Sequence, residues 1–116
     1  MSINPAILIK KFTIDAESGD LSAQSTLALL FYSGESVGIQ PDYAKAKKWA
    51  LIAAARGDAQ SQSVLGNLYL EGLGVEKDYD QAVFWFEKGA AKGNLLAKNG
   101  LLMVKIKRQL DNLENK

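Results

Sequence analysis

Leucine and aromatic residues recur at helical spacing in two stretches, Leu27, Leu30 and Phe31, then Leu65, Leu68 and Tyr69. Steps of three and four residues put such side chains on one stripe of an α-helix, so the pattern predicts helices over about 21–33 and 59–71. Between and after them stand Ala46 and Trp49, then Ala82, Trp85 and Phe86. These predict a second kind of helix over about 43–56 and 79–92, each closing on an Ala-Ala pair. Trp49 and Trp85 read as core, since burying one indole removes roughly 200 Å² from water. Leu8, Phe12 and Ala16 predict an earlier helix over Pro5–Ser18, with Asn4-Pro5 as its start signal. Ala97, Leu101, Leu102 and Val104 predict a last one from Asn94 to about Leu113. The fold class that results is all-α, with about six helices.

The punctuation between these helices repeats. Gly19-Asp20, Gly57-Asp58 and Gly93-Asn94 each pair a glycine, free to leave a helix in the left-handed conformation, with a residue that caps the next helix. A two-residue reversal forces consecutive helices to pack antiparallel. Asp42 and Asp78 are the corresponding caps of the second-type helices. The glycines lie 38 and then 36 residues apart, and the excess falls in a wider loop between Gly34 and Asp42. A fixed period of this length marks stacked supersecondary units, in which each unit buries its apolar face against its neighbours. The chain then divides into a half-repeat (5–19), two full repeats (20–57 and 58–93) and a C-terminal helix (94–113), together one domain. That last helix, with Lys105 at the aromatic position and Arg108 at the glycine position, reads as a wettable cap.

The order Ala/Ser-Gln, Leu-Gly, Leu-Tyr, Gly-x-Gly-Val, Asp-Tyr, Ala, Trp-Phe, Ala-Ala, Gly-Asn over Ser61–Asn94 resembles the Sel-one-like repeat, a relative of the tetratricopeptide repeat. Ala23 to Gly57 resembles it too, with Ala28 in place of the usual glycine, Ala50 in place of an aromatic, and the wider loop. The resemblance implies a right-handed α-α superhelix whose concave side is lined mainly by first-type helices. It also implies a non-catalytic adaptor that holds another protein.

Composition narrows the function classes. A net charge of +1 leaves no electrostatic footprint for nucleic acid. The chain has neither cysteine nor histidine, which removes thiolate chemistry, the usual zinc ligands and histidine acid–base work. No cofactor is indicated. Ser61 and Ser63 have no base at a recognisable spacing, and Glu71, Glu76, Asp78 and Asp80 bracket a loop in which Asp78 is better read as a cap. Gly72-Leu73-Gly74-Val75 lacks the preceding strand and following Lys-Ser/Thr of a phosphate loop. Met1–Asn4 carries no cationic cluster, only four apolar residues separate it from Lys10-Lys11, and no membrane span is evident. The expectation is a cytoplasmic protein.

One and two positions beyond the buried stripe of each first-type helix lie the candidate partner-binding residues. They are Ser25, Leu29 and Tyr32, with Ser22 and Ser33; then Gln60, Ser63, Asn67, Leu70 and Glu71; then Asn99, Met103 and Ile106, with Leu96. Polar groups at one end and apolar ones at the other suit protein recognition. The partner expected is another protein, with the chain serving as an adaptor or as an immunity-type inhibitor of a toxin or effector. The alternative is a self-associating scaffold docking through its N-terminal half-unit. The Gly34–Asp42 loop is a second candidate surface. The cations Lys45, Lys47, Lys48 and Arg56, with Lys105, Lys107 and Arg108, read as a solvated face.

Overall fold

The computed structural model describes residues 4–115; the start Met1–Ile3, read above as unlike a secretory leader, and the final Lys116 lie outside them. Each predicted helix starts where its cap stands. Asn4 Oδ1 accepts the Ala6 N–H (2.9 Å) and opens α1, Pro5–Glu17, with Pro5 in the first turn. Asp20, Asp42, Asp58, Asp78 and Asn94 accept the N–H three residues on. They open α2 (Leu21–Ser33), α3 (Tyr43–Ala55), α4 (Ala59–Glu71), α5 (Tyr79–Ala91) and α6 (Leu95–Glu114). The first five helices have 13 residues each, whereas α6 has 20. Among the described residues there are no strands.

The helices form a right-handed superhelical stack of antiparallel pairs, 52 × 26 × 24 Å. Each helix packs on the next in sequence, and α2 also touches α4, as α4 touches α6. The second-type helices α1, α3 and α5 make no comparable contact with one another. A row in mutual contact beside a row that is splayed must curve toward the first, so α2, α4 and α6 form the inner row.

The core has two parts. One spans α1 to α4 around Leu27, Phe31, Trp49, Leu65 and Leu68; the other joins α4, α5 and α6 around Leu70, Phe86 and Val104. Trp49 is buried as predicted, but Trp85 is only half-buried and Phe86 is the aromatic with no exposure. The reason is a slot. A Cβ on Gly66 would sit 2.5 Å from Phe86 Cδ1, and one on Gly100 2.5 Å from its Cζ, so the ring lies between two glycines on α4 and α6. In the preceding unit the same three places hold Ala28, Ala50 and Val64, all buried in the other part of the core. Where the second-type helix carries no ring, its neighbours carry methyl groups. The two departures Ala28 and Ala50 therefore compensate each other.

The wider loop forms a 3₁₀ turn, Gly34–Val37, and folds Ile39 back into the core over Gly34. Its length thus has a packing role. In the shorter loop of the next unit, Gly74 has φ +69° and a Cβ there would meet Tyr43 Cβ at 2.8 Å, so only glycine allows the loop to approach α3.

Candidate functional site

Successive inner helices are fastened by a hydrogen-bond pattern that repeats once per unit. Ser25 Oγ donates to Asp58 Oδ2 (2.7 Å), the cap of the next inner helix, and Ser63 Oγ donates to Asn94 Oδ1 (2.8 Å). The Gln24 amide donates to Ala16 O (3.1 Å), and the Gln62 amide to Ala54 O (3.2 Å), each reaching the end of the preceding outer helix. Arg56 donates to Gly19 O (2.7 Å) and to Gln24 Oε1 (3.1 Å), while Lys92 donates to Gly57 O. Asp58 is the hub. Burial pushes its carboxyl up, but the Ser61 and Ser25 hydroxyls, the Ser61 N–H and the Lys92 charge outweigh that and hold its pKa below the ordinary carboxylate value.

This pattern corrects the expected binding surface. Ser25, Ser63 and Leu70 are 6%, 1% and 3% exposed. The two serines are consumed in the bonds between repeats, and Leu70 lies in the second part of the core with Val104. None of the three is available to a partner. The face lying just beyond the buried stripe is the face on which the next inner helix stacks. An inner helix has neighbours before, after and behind it, so its buried stripe is far wider than that of a helix lying on a single layer. Arg56 is exposed, as expected of a solvated charge, and is a fastener as well. A repeated cation before the boundary glycine, Arg56-Gly57 and Lys92-Gly93, was the available signal.

A narrower strip stays accessible. On α2 it runs through Ser22, Thr26, Leu29 and Ser33, with half-buried Tyr32 beside it; on α4 it runs through Gln60, Asn67 and Glu71. Steps of four, three and four residues keep the α2 row on one line of its helix; the α4 row keeps the same line in steps of seven and four, with buried Val64 in the gap. Thr26 belongs to this line and was not among the expected residues. Tyr32 stacks edge-on against Tyr43 (6.3 Å between centroids), and burial, then the nearby Glu71 carboxylate, raise its pKa above the ordinary phenol value. Asn99, Met103 and Ile106 are exposed; Asn99 and Ile106 lie on the stacking face that α6, last of the inner row, leaves uncovered, and Met103 continues the line of Leu29 and Asn67.

A polar hollow of about 460 Å³ lies between Lys47, Tyr69 and the Gly74–Asp78 loop. Asp78, its best-placed carboxylate, accepts the Gln81 N–H (3.1 Å) and serves as the α5 cap. Among the described residues no group of acidic side chains is arranged to hold a metal ion, and no helix is long and apolar enough to cross a membrane.

The repeating fasteners define the unit, and the Sel1 repeat model matches it twice, at residues 21–58 and 59–94. The chain belongs to the Sel1 repeat family. Its structure is similar to that of the protective antigen c5321 of uropathogenic Escherichia coli, which displays an SLR fold (TM-score 0.72, 33% identity, covering 80% of this chain and 20% of that one). A Sel1 repeat protein from Oxalobacter formigenes is also similar (TM-score 0.68, 30% identity, covering 81% of this chain and 38% of that one). The chain thus spans a fifth to two fifths of the length of these relatives. No curated protein matches it. Sel1 repeats generally serve as non-catalytic scaffolds for protein–protein interaction.

Proposed function

We propose that this chain is a non-enzymatic protein-binding module that holds an extended segment of a partner polypeptide along the accessible strip of α2 and α4. The observation that carries the reading is the make-up of that strip on the inner side of the curve. Ser22, Thr26 and Asn67 offer both donors and acceptors to a peptide backbone, Gln60 offers its amide N–H groups while its Oε1 accepts from Ser25 (3.2 Å), and Leu29 and Tyr32 offer apolar area. An adaptor and an immunity-type inhibitor that covers a toxin or effector would use the same strip. In either role the complex must bury at least about 1,200 Å², so flanking side chains of the inner row take part.

The test is affinity capture with matched variants. Leu29→Glu and Asn67→Arg should each lose a partner that the parent protein retains, while Ile52→Glu on the outer row keeps it. Unchanged helical circular dichroism guards against unfolding. The same partner held by both inner-row variants would defeat the proposal.

A further inference from the structure

The end of the stack is not wettable. Along α6, Leu96, Asn99, Met103, Ile106, Leu110 and Leu113 follow one another in steps of three, four, three, four and three. All six are exposed, and the five apolar ones range from 39% to 67%. Leu95 and Leu102 widen the stripe on one side, at 69% and 57%. The cap expected at this end is therefore corrected: the polar groups Lys105 and Arg108 lie off the stripe, and Arg108 pairs with Asp80 (2.6 Å). The seven residues by which α6 outruns its fellows, Arg108–Glu114, include Leu110 and Leu113. Tyr79, donating to Asp111 (2.6 Å), and the Asp80–Arg108 pair hold the extension straight while its leucines face away from the core.

We propose that this stripe pairs with the same stripe on a second copy of the chain, antiparallel about a two-fold axis midway between Met103 and Ile106. The spacing is its own complement under that axis. Leu96 meets Leu113 of the second copy, Asn99 meets Leu110, and Met103 meets Ile106. Three-four spacing is what lets two helices keep one seam in contact over their length. The seam from Leu96 to Leu113 is roughly 26 Å long at 1.5 Å per residue. Seven half-exposed apolar side chains contribute roughly 500 Å² per copy, about 1,000 Å² in all, the size of a weak, reversible interface. Glu114 of each copy comes level with the N-terminal turn of the other, where negative charge is favoured.

The head-to-tail alternative, α1 of one copy completing α6 of another, meets two obstacles. Leu102 occupies the place of Gly66, where even a single Cβ collides with the ring of the outer helix, and α1 carries Phe12 at that ring position. Asp15, paired with Lys11 (3.2 Å), stands where Gly89 lets α5 approach Ala59 O and Ser63.

Sedimentation over about 1–100 µM should show a monomer–dimer equilibrium. The double variant Met103→Glu/Ile106→Glu should weaken it at least ~100-fold without loss of helicity. Ile7→Glu/Ile14→Glu on α1 should leave it unchanged. Because the chain has no cysteine, single ones can be added freely. Leu96→Cys mixed with Leu113→Cys should cross-link on oxidation, and Leu102→Cys mixed with Ile14→Cys should not. A monomer throughout the range, a dimer that survives Met103→Glu/Ile106→Glu, or the second cross-link in place of the first would each overturn the proposal. Leu29→Glu and Asn67→Arg leave α6 unchanged and should keep the dimer while losing the partner, so the two outcomes are separable.

Discussion

Replacing Gly66 by alanine ought to stabilise an ordinary helix interior by about 1 kcal/mol, because glycine is the poorer helix former. In α4 the opposite is expected. The added Cβ would lie 2.5 Å from Phe86 Cδ1, and the ring has little room to yield because α6 crowds it too, a Cβ on Gly100 standing 2.5 Å from Cζ. Over-packing of this kind costs about 1–3 kcal/mol, and a rigid aromatic held on both sides belongs at the upper end. The net expectation for Gly66→Ala is a loss of about 2 kcal/mol.

Phe86→Ala alone should cost about 4 kcal/mol as a buried aromatic truncation. The double variant rebuilds the Ala28–Ala50 arrangement of the preceding unit, so the collision vanishes and the helix-propensity gain returns. It should cost about 2.5–3 kcal/mol, which makes the coupling about −3 kcal/mol. Urea unfolding followed by circular dichroism and tryptophan fluorescence measures all three free energies, and agreement of the two probes checks that one transition is being read. Additive values, or a Gly66→Ala protein more stable than the parent, would refute the two-glycine slot as the reason for the repeat's glycine.

Three further outcomes follow from the fasteners. Gln62 Oε1 is buried without a partner, whereas its counterpart Gln24 Oε1 accepts from Arg56. Lys92→Arg supplies the missing donor and should raise stability by about 1 kcal/mol in urea unfolding, with no gain if Gln62→Leu is already present. The depressed pKa of Asp58 means its contribution is complete above the unfolded value, 3.8, and is lost as pH falls through the lower folded value; Asp58→Asn should flatten acid unfolding in that window. The hydrogen bond to Asp111, then partial burial, raises the Tyr79 phenol above its ordinary value of 10.0, so its contribution is present below that pH and lost as pH rises through the folded value. Tyr79→Phe should cost about 1 kcal/mol at neutral pH and increase amide exchange selectively over Arg108–Glu114.

The helices were legible in the sequence to within a residue or two because each begins at a capping side chain and the first five are closed by a glycine, both local signals. The end of α6 was legible for the converse reason, since Arg108 stands where the closing glycine should be. The site was less so. Reading the buried stripe of α4 as Leu65, Leu68 and Tyr69 treats the helix as half-embedded, yet Ser61, Gln62, Ser63, Val64 and Leu70 are buried too. A serine at such a position looks the same in sequence whether it meets solvent or the cap of the next helix. Only the register of one unit against the next, Ser25 on Asp58 and Ser63 on Asn94, distinguishes the two.

The same register explains why one stack can hold surfaces of such different character. Every inner helix presents the same stacking face to its successor, and that face is spent on serine-to-cap bonds in α2 and α4 and, in α4, on the core residue Leu70. At the third occurrence the face meets no successor in this chain. Along this face and the line beside it, Ser63, Asn67 and Leu70 become Asn99, Met103 and Ile106, followed by the added turns with Leu110 and Leu113. A face meant for water would have gained charge there. This one has exchanged an asparagine for Met103, keeps an exposed Ile106 where Leu70 was buried, and has grown longer, which is the change expected of a surface that still has a helix to meet.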